Sequence, residues 1–128
     1  GGHAGPLPTL SQLGNADKAG FLSKQSTGLM RSWRRRWCVL KGDCVYYFSS
    51  AQTEEADGAV KLDGAFVQTA DEHTRRKHSF GVFHPQRRTQ FFIAESHDEL
   101  TAWVDALNAK IDLLEQLYDS DSSISEDF

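Results

Sequence analysis

Cysteine, proline and methionine are scarce in this chain, with two, three and one copies in 128 residues. Two cysteines do not make the dense disulfide framework of a small secreted domain. If Gly42 and Asp43 form a two-residue hairpin turn, Lys41 pairs with Cys44 and Cys38 lies opposite Tyr47. The thiols are then out of register for a disulfide, and reduced cysteines in a cytosolic protein are expected. No run approaches the roughly 20 apolar residues of a membrane span, and no signal-peptide pattern opens the chain. Gly1 and Gly2, with no initiator Met before them, point to a segment of a larger parent. Chemistry-bearing motifs are also lacking. His3, His73, His78, His84 and His97 show no zinc-protease spacing, and no cysteine pair has metal-ligand spacing. A phosphate-binding Walker loop, a dinucleotide fingerprint and a nucleophile elbow are all missing from the sequence. Neither catalysis nor a metal or cofactor is expected.

Positive charge is nearly absent from the last 35 residues of the chain. From Ala94 to Phe128 only Lys110 stands against 10 acids, whereas Lys18 to Ile93 holds 13 basic and 7 acidic residues. The net charge of −4 therefore hides a basic body beside an acidic tail, which calls for an anionic partner at one face only. The SWRRRWCV stretch interleaves aromatics with arginine, a nucleic-acid pattern. The acidic helix and tail would repel a long polyanion, so nucleic acid is not the expected partner.

The length fits one domain of about 100 residues plus tails. Residues 1–16 are Gly- and Pro-containing without periodicity and read as a flexible linker or tag. Strand-like segments follow at roughly 18–25, 34–41, 44–49, 58–62, 65–70, 78–84 and 89–94, separated by turn signals such as KGD, EEADG and HPQ. Seven short strands at hairpin spacing imply an antiparallel barrel or sandwich. Beyond Ser96 the apolar period changes: Leu100, Trp103, Val104, Leu107, Ile111, Leu114 and Tyr118 mark an amphipathic helix of about 20 residues. Ser96 and Glu99 form its capping-box pattern. Residues 119–128 are acidic and Ser-rich, and disorder is expected there. Ser120, Ser122 and Ser123 lie in a context that acidophilic kinases accept. The tail is a candidate autoinhibitor or a plain spacer.

The segment from Lys18 to Phe48 carries the chemistry. Alternate strand residues share a face, so Arg34 and Arg36 project together, with Arg35 opposite. Lys24 can meet that pair across a hairpin. Three cations converging beside a loop suit a multiply phosphorylated small group, because charge-assisted arginine–phosphate bonds are strong.

Lysine, loop, Arg-x-Arg-Trp and a hairpin ending in Tyr-Tyr-Phe resemble the phosphoinositide signature of pleckstrin homology (PH) domains. The resemblance covers about 100 residues, Lys18 to about Leu117, and implies a mainly β fold. In that fold seven strands form two nearly orthogonal sheets of a partly open antiparallel barrel, capped by one C-terminal amphipathic helix, with the domain spanning 17–118. It further implies that Lys24, Arg31, Arg34, Arg36, Tyr47, Arg87 and Arg88 bind a phosphoinositide at the open end. Arg75, Arg76 and Lys77 would form a second anion site, and Leu29 and Met30 would dip into the bilayer. One departure stands out: the position before the strand-4 glycine, basic in many 3-phosphoinositide binders, is Asp57.

The expected function is thus a monomeric cytoplasmic module that recruits its parent signalling or trafficking protein, reversibly, to phosphoinositide-bearing anionic membranes. The rival reading keeps the fold but binds protein: a small GTPase, a peptide or an intramolecular partner.

Overall fold

A computed structural model describes the chain from residue 6 to residue 126, with side chains described through Tyr118. Seven strands are present: β1 (Lys18–Gln25), β2 (Trp33–Lys41), β3 (Cys44–Phe48), β4 (Gly58–Lys61), β5 (Phe66–Thr69), β6 (Ser79–His84) and β7 (Arg87–Ile93). All neighbours pair antiparallel, in the order β4-β3-β2-β1-β7-β6-β5. The two sheets implied by the resemblance are halves of this one ladder. β1 pairs with β2 along its whole length but meets β7 only through Ser23 and Lys24. β4 and β5 lie at opposite ends of the order and do not pair with each other, which leaves the barrel open.

The β2–β3 hairpin follows from its turn chemistry. Gly42 takes the left-handed backbone that a tight two-residue turn requires (φ 62°), and Lys41 pairs with Cys44 as expected. Cys38 and Cys44 are free and buried. Burial pushes the Cys38 thiol up to about 12, so it stays protonated and behaves as a small core residue.

Helix α3 (His97–Glu126) starts where Ser96 Oγ accepts the Glu99 N–H at 3.1 Å. Leu100, Trp103, Leu107 and Ile111 are buried beside Leu22, Phe80 and Phe92, each buried side chain contributing about 1.5–3 kcal/mol. The helix packs on β5 and β6. The apolar stripe leaves the core after Leu114, and Tyr118, expected within it, is 73% exposed.

Two boundaries differ from expectation. The backbone stays helical to Glu126 where disorder is expected from residue 119. Once a docked helix exists, each added residue gains a hydrogen bond without a new nucleation cost. Ser120, Ser122 and Ser123 fall in that stretch, and their side chains lie outside the described residues. At the other end, residues 6–16 are not a free linker; residues 1–5 lie outside the described residues. Thr9 and Gln12 close a reciprocal capping box on a short helix, α1 (Leu10–Leu13). Leu13 is buried with Val39 and Phe48, and Leu10, Ala16, Trp37, Tyr46 and Ala56 pack around them. Apolar surface on the outer side of β2 and β3 thus holds this segment as a strap. A second short helix, α2 (Asp71–Thr74), bridges β5 and β6.

Candidate functional site

The β1–β2 loop is shaped at its neck by two serines. Ser26 N–H donates to the Ser32 carbonyl at 2.8 Å, and Ser32 N–H donates to Ser26 Oγ at 3.0 Å. Ser26 Oγ also donates to the Met30 carbonyl at 3.1 Å. Beyond this neck Leu29 and Met30 stand out fully, at 104% and 86% exposure.

Beneath the loop, register does the assembling. Lys24 lies opposite Arg34, and Leu22 opposite Arg36. Tyr47 joins from β3, where it pairs with both Cys38 and Gly58. Lys24, Arg34, Arg36, Tyr47 and Asp57 line a cavity of about 400 Å³ with residues 25–28 of the loop. Arg35 points away as the alternation requires, its guanidinium 3.6 Å from the Phe21 ring centroid and 3.0 Å from Glu95.

Lys24 is the unusual member. It is only 7% exposed, and no carboxylate among the described residues lies within ion-pair distance of it. Its ammonium makes one long bond to the Gln25 carbonyl (3.4 Å) and stands 4.7 Å from the Tyr47 ring centroid. Burial, with Arg36 adding repulsion, holds its pKa below the ordinary lysine value. Like charges directly opposite across a ladder are destabilising. The Lys24–Arg34 pairing is therefore a local cost of a kind that an anion in the cavity would relieve.

Two further residues complete the wall. Asp57, in the β3–β4 connection, sits 3.5 Å from Arg36 Nε and accepts the Ser49 hydroxyl at 2.9 Å. A Cβ at Gly58 would lie 2.3 Å from the Tyr47 hydroxyl, so only glycine lets that ring lie flat beside β4. Burial, then Asp57, pushes the Tyr47 hydroxyl pKa up, and it remains a neutral donor.

The other candidates are dispersed. Arg31 and Arg88 line a second hollow of about 660 Å³ on the other side of the same loop, with Phe91 at its base. Arg88 also bonds the Thr27 carbonyl. Arg87 does not join the cavity. Its guanidinium donates to the Lys61 and Asp63 carbonyls at 3.1 and 2.6 Å and to the Asp63 carboxylate at 3.0 Å, which laces the β4–β5 turn to β7. Arg75, Arg76 and Lys77 are exposed in the α2–β6 connection, Arg76 standing 6.0 Å from the Trp33 ring centroid. Arg75 and His78 there adopt left-handed backbone (φ 63° and 64°). Asp71 accepts the N–H groups of His78 and Ser79 and so fixes that geometry. Sequence reasoning missed Ser49, which anchors Asp57, and the Ser26–Ser32 neck. The available signal for the latter was a serine on each flank of the loop, at positions 26 and 32.

Comparison with known proteins follows the same outline. Residues 16–112 match the model of the PH domain family. Over 102 residues the chain is 36% identical to the human interactor protein for cytohesin exchange factors 1, a match covering 77% of this chain and 23% of that protein. Over 93 residues it is 39% identical to human pleckstrin homology domain-containing family A member 6, covering 70% of this chain and 9% of that protein. The chain thus spans a quarter or less of these relatives' length. Among solved structures, the PH domain of human family A member 5 aligns with a TM-score of 0.64 at 28% identity, over 77% of this chain and 80% of that one. The C-terminal PH domain of pleckstrin, in complex with D-myo-Ins(1,2,3,5,6)P5, aligns at 0.67 and 25% identity, over 77% and 97%.

Proposed function

The chain belongs to the PH domain family, and from that premise we propose that it docks its parent protein reversibly on phosphoinositide-bearing membranes. The observation that carries this reading is Lys24, a buried cation with no carboxylate within ion-pair distance among the described residues, facing a cavity that also holds Arg34, Arg36 and Tyr47. A headgroup phosphate supplies the missing counter-charge. Around the mouth, Arg31, Arg88, Arg75, Arg76 and Lys77 meet the membrane's anionic surface, each contributing about 1 kcal/mol near it. Leu29 and Met30, presented at the loop tip, enter the interface. The module is non-catalytic, monomeric and cytoplasmic, and its association with the membrane is peripheral. The C-terminal PH domain of pleckstrin holds an inositol phosphate, the same chemical class as a phosphoinositide headgroup.

A second reading has its own observation. Leu113, Leu117 and Tyr118 are exposed on the acidic outer part of α3, a surface suited to a protein, and one relative is described as an interactor of exchange factors.

Vesicle co-sedimentation separates the two. Arg34→Ala and Lys24→Met should each weaken binding to phosphoinositide vesicles about tenfold or more, since a lost charge-assisted bond costs about 1.5–3 kcal/mol. Circular dichroism should show the fold intact. Unchanged binding in both variants would exclude the cavity as the lipid site.

A further inference from the structure

Asp57 is built into the cavity, not merely near it. Its main-chain N–H donates to the Tyr47 carbonyl at 2.8 Å, which fixes the backbone. Its Oδ2 accepts the Ser49 hydroxyl at 2.9 Å and faces Arg36 Nε at 3.5 Å, which fixes the side chain. The next residue, Gly58, is hemmed by the Tyr47 ring. The charge of the cavity is consequently uneven. Lys24 and Arg34, opposite each other across the β1–β2 ladder, have no carboxylate partner among the described residues, while Arg36, two residues along β2, is already matched by Asp57.

An inositol ring offers two kinds of group to such a lining. A phosphate dianion only accepts hydrogen bonds and is attracted to Lys24 and Arg34. A free ring hydroxyl donates, and a carboxylate is an acceptor-only partner for it. A phosphate placed against Asp57 would meet a like charge in a half-enclosed site, where repulsion is poorly screened. Three cations less one carboxylate leave two positive charges in the cavity, enough for one phosphate dianion.

Resting on the reading that this cavity takes a headgroup, we infer that Asp57 is its specificity-determining residue. One ring phosphate sits between Lys24 and Arg34, and an unphosphorylated hydroxyl faces the Asp57 carboxylate. The site therefore selects singly phosphorylated phosphoinositide headgroups over those phosphorylated at every position around the ring edge that enters. Ser49 is a positioning residue that keeps the carboxylate turned inward.

The test is calorimetric titration of the intact chain with soluble inositol 1,4-bisphosphate, 1,4,5-trisphosphate and 1,3,4,5-tetrakisphosphate, the headgroups of lipids with one, two and three ring phosphates. Wild type should bind the first at least as tightly as the last. Asp57→Asn, which keeps the shape and removes the charge, should raise tetrakisphosphate affinity at least fivefold relative to the bisphosphate. Ser49→Ala should move the ratio the same way by a smaller factor. Vesicles carrying each lipid should reproduce the order. A wild-type preference for the tetrakisphosphate, or an Asp57→Asn ratio within twofold of wild type, overturns the inference. So does a shift seen on vesicles but not with soluble headgroups, because that is surface charge alone. If wild type binds none of the three, the headgroup reading itself falls, and the inference with it.

Discussion

Lys24 and Lys110 are both lysines with little exposed side chain, yet they sit in opposite electrostatic circumstances. Lys110 Nζ is 2.8 Å from Asp17 and ties α3 to the start of β1. Lys24 has comparable shelter and no acid within ion-pair distance among the described residues. The same division runs through the other cations: Lys18 reaches Glu99, Arg35 reaches Glu95 and Arg87 reaches Asp63. These paired cations tie elements to one another, whereas Lys24 and Arg34 line the cavity with no carboxylate partner among the described residues. A count of positive charges along the chain cannot make that distinction, because it depends on where the acids fold.

The sharpest way to break the comparison is to neutralise each lysine in turn. Lys24→Met should lose about tenfold or more of vesicle binding while gaining about 1 kcal/mol of stability, since an unpaired buried charge is replaced by an apolar chain of similar length. Lys110→Met should leave binding unchanged and lower stability slightly. Chemical denaturation alongside co-sedimentation reads both. The Lys24 advantage also carries a pH signature. Folding depresses its pKa, so the unfolded chain holds more protons in the window between the folded value and 10.5. Native stability from this group is therefore recovered as pH rises through that window, and the gap between Lys24→Met and wild type should narrow there. Cys38 and Cys44, whose thiols are pushed up to about 12 and about 11, titrate the other way in both proteins and leave the difference intact. A gap that stays constant to pH 10.5 would show that Lys24 is not desolvated.

Gly58→Ala comes next. The added methyl collides with Tyr47, and overpacking of this kind costs about 1–3 kcal/mol; headgroup affinity should fall with it as Tyr47 shifts off Lys24. Unchanged stability would mean that the ring can move without consequence. Arg87→Ala sharpens the contrast from the paired side. It should lower stability by about 1 kcal/mol through the loss of its bonds to Lys61 and Asp63, with headgroup affinity within about twofold of wild type. A larger binding loss would return Arg87 to the lipid site. Smallest is the double change Leu29→Ser with Met30→Ser. Vesicle binding should fall a few-fold and soluble-headgroup affinity not at all; equal losses in both assays would place the loop tip against the ring instead of the bilayer.

How far the residues spoke for themselves varies by element. The seven strands were legible because Gly42, Asp43 and the Gly-containing turns punctuate short β-branched and aromatic runs. Lys24, Arg34, Arg36 and Tyr47 meet in one cavity because period-two alternation and hairpin register are local rules. Arg87 was unreadable, since its partners lie 24 and 26 residues away in a turn whose position only the assembled sheet defines. The strap was hidden for a similar reason. A four-residue helix has no periodicity to detect, and Leu13 is buried by surface that β2 and β3 present only once paired.

That strap lies mostly upstream of the span the family model matches, which begins at residue 16. A fragment cut at that border would look complete by alignment and yet be missing its lid. Phe48, fully buried here, would lose its Leu13 cover, and the β3–β4 connection would lose Ser11, whose N–H and hydroxyl both hold Glu54 at 2.8 Å. An uncovered aromatic on the face of a sheet is a sticky surface, so the shortened fragment should self-associate where the longer one does not. For this chain, the boundary of the folding unit is drawn by what Phe48 needs on top of it.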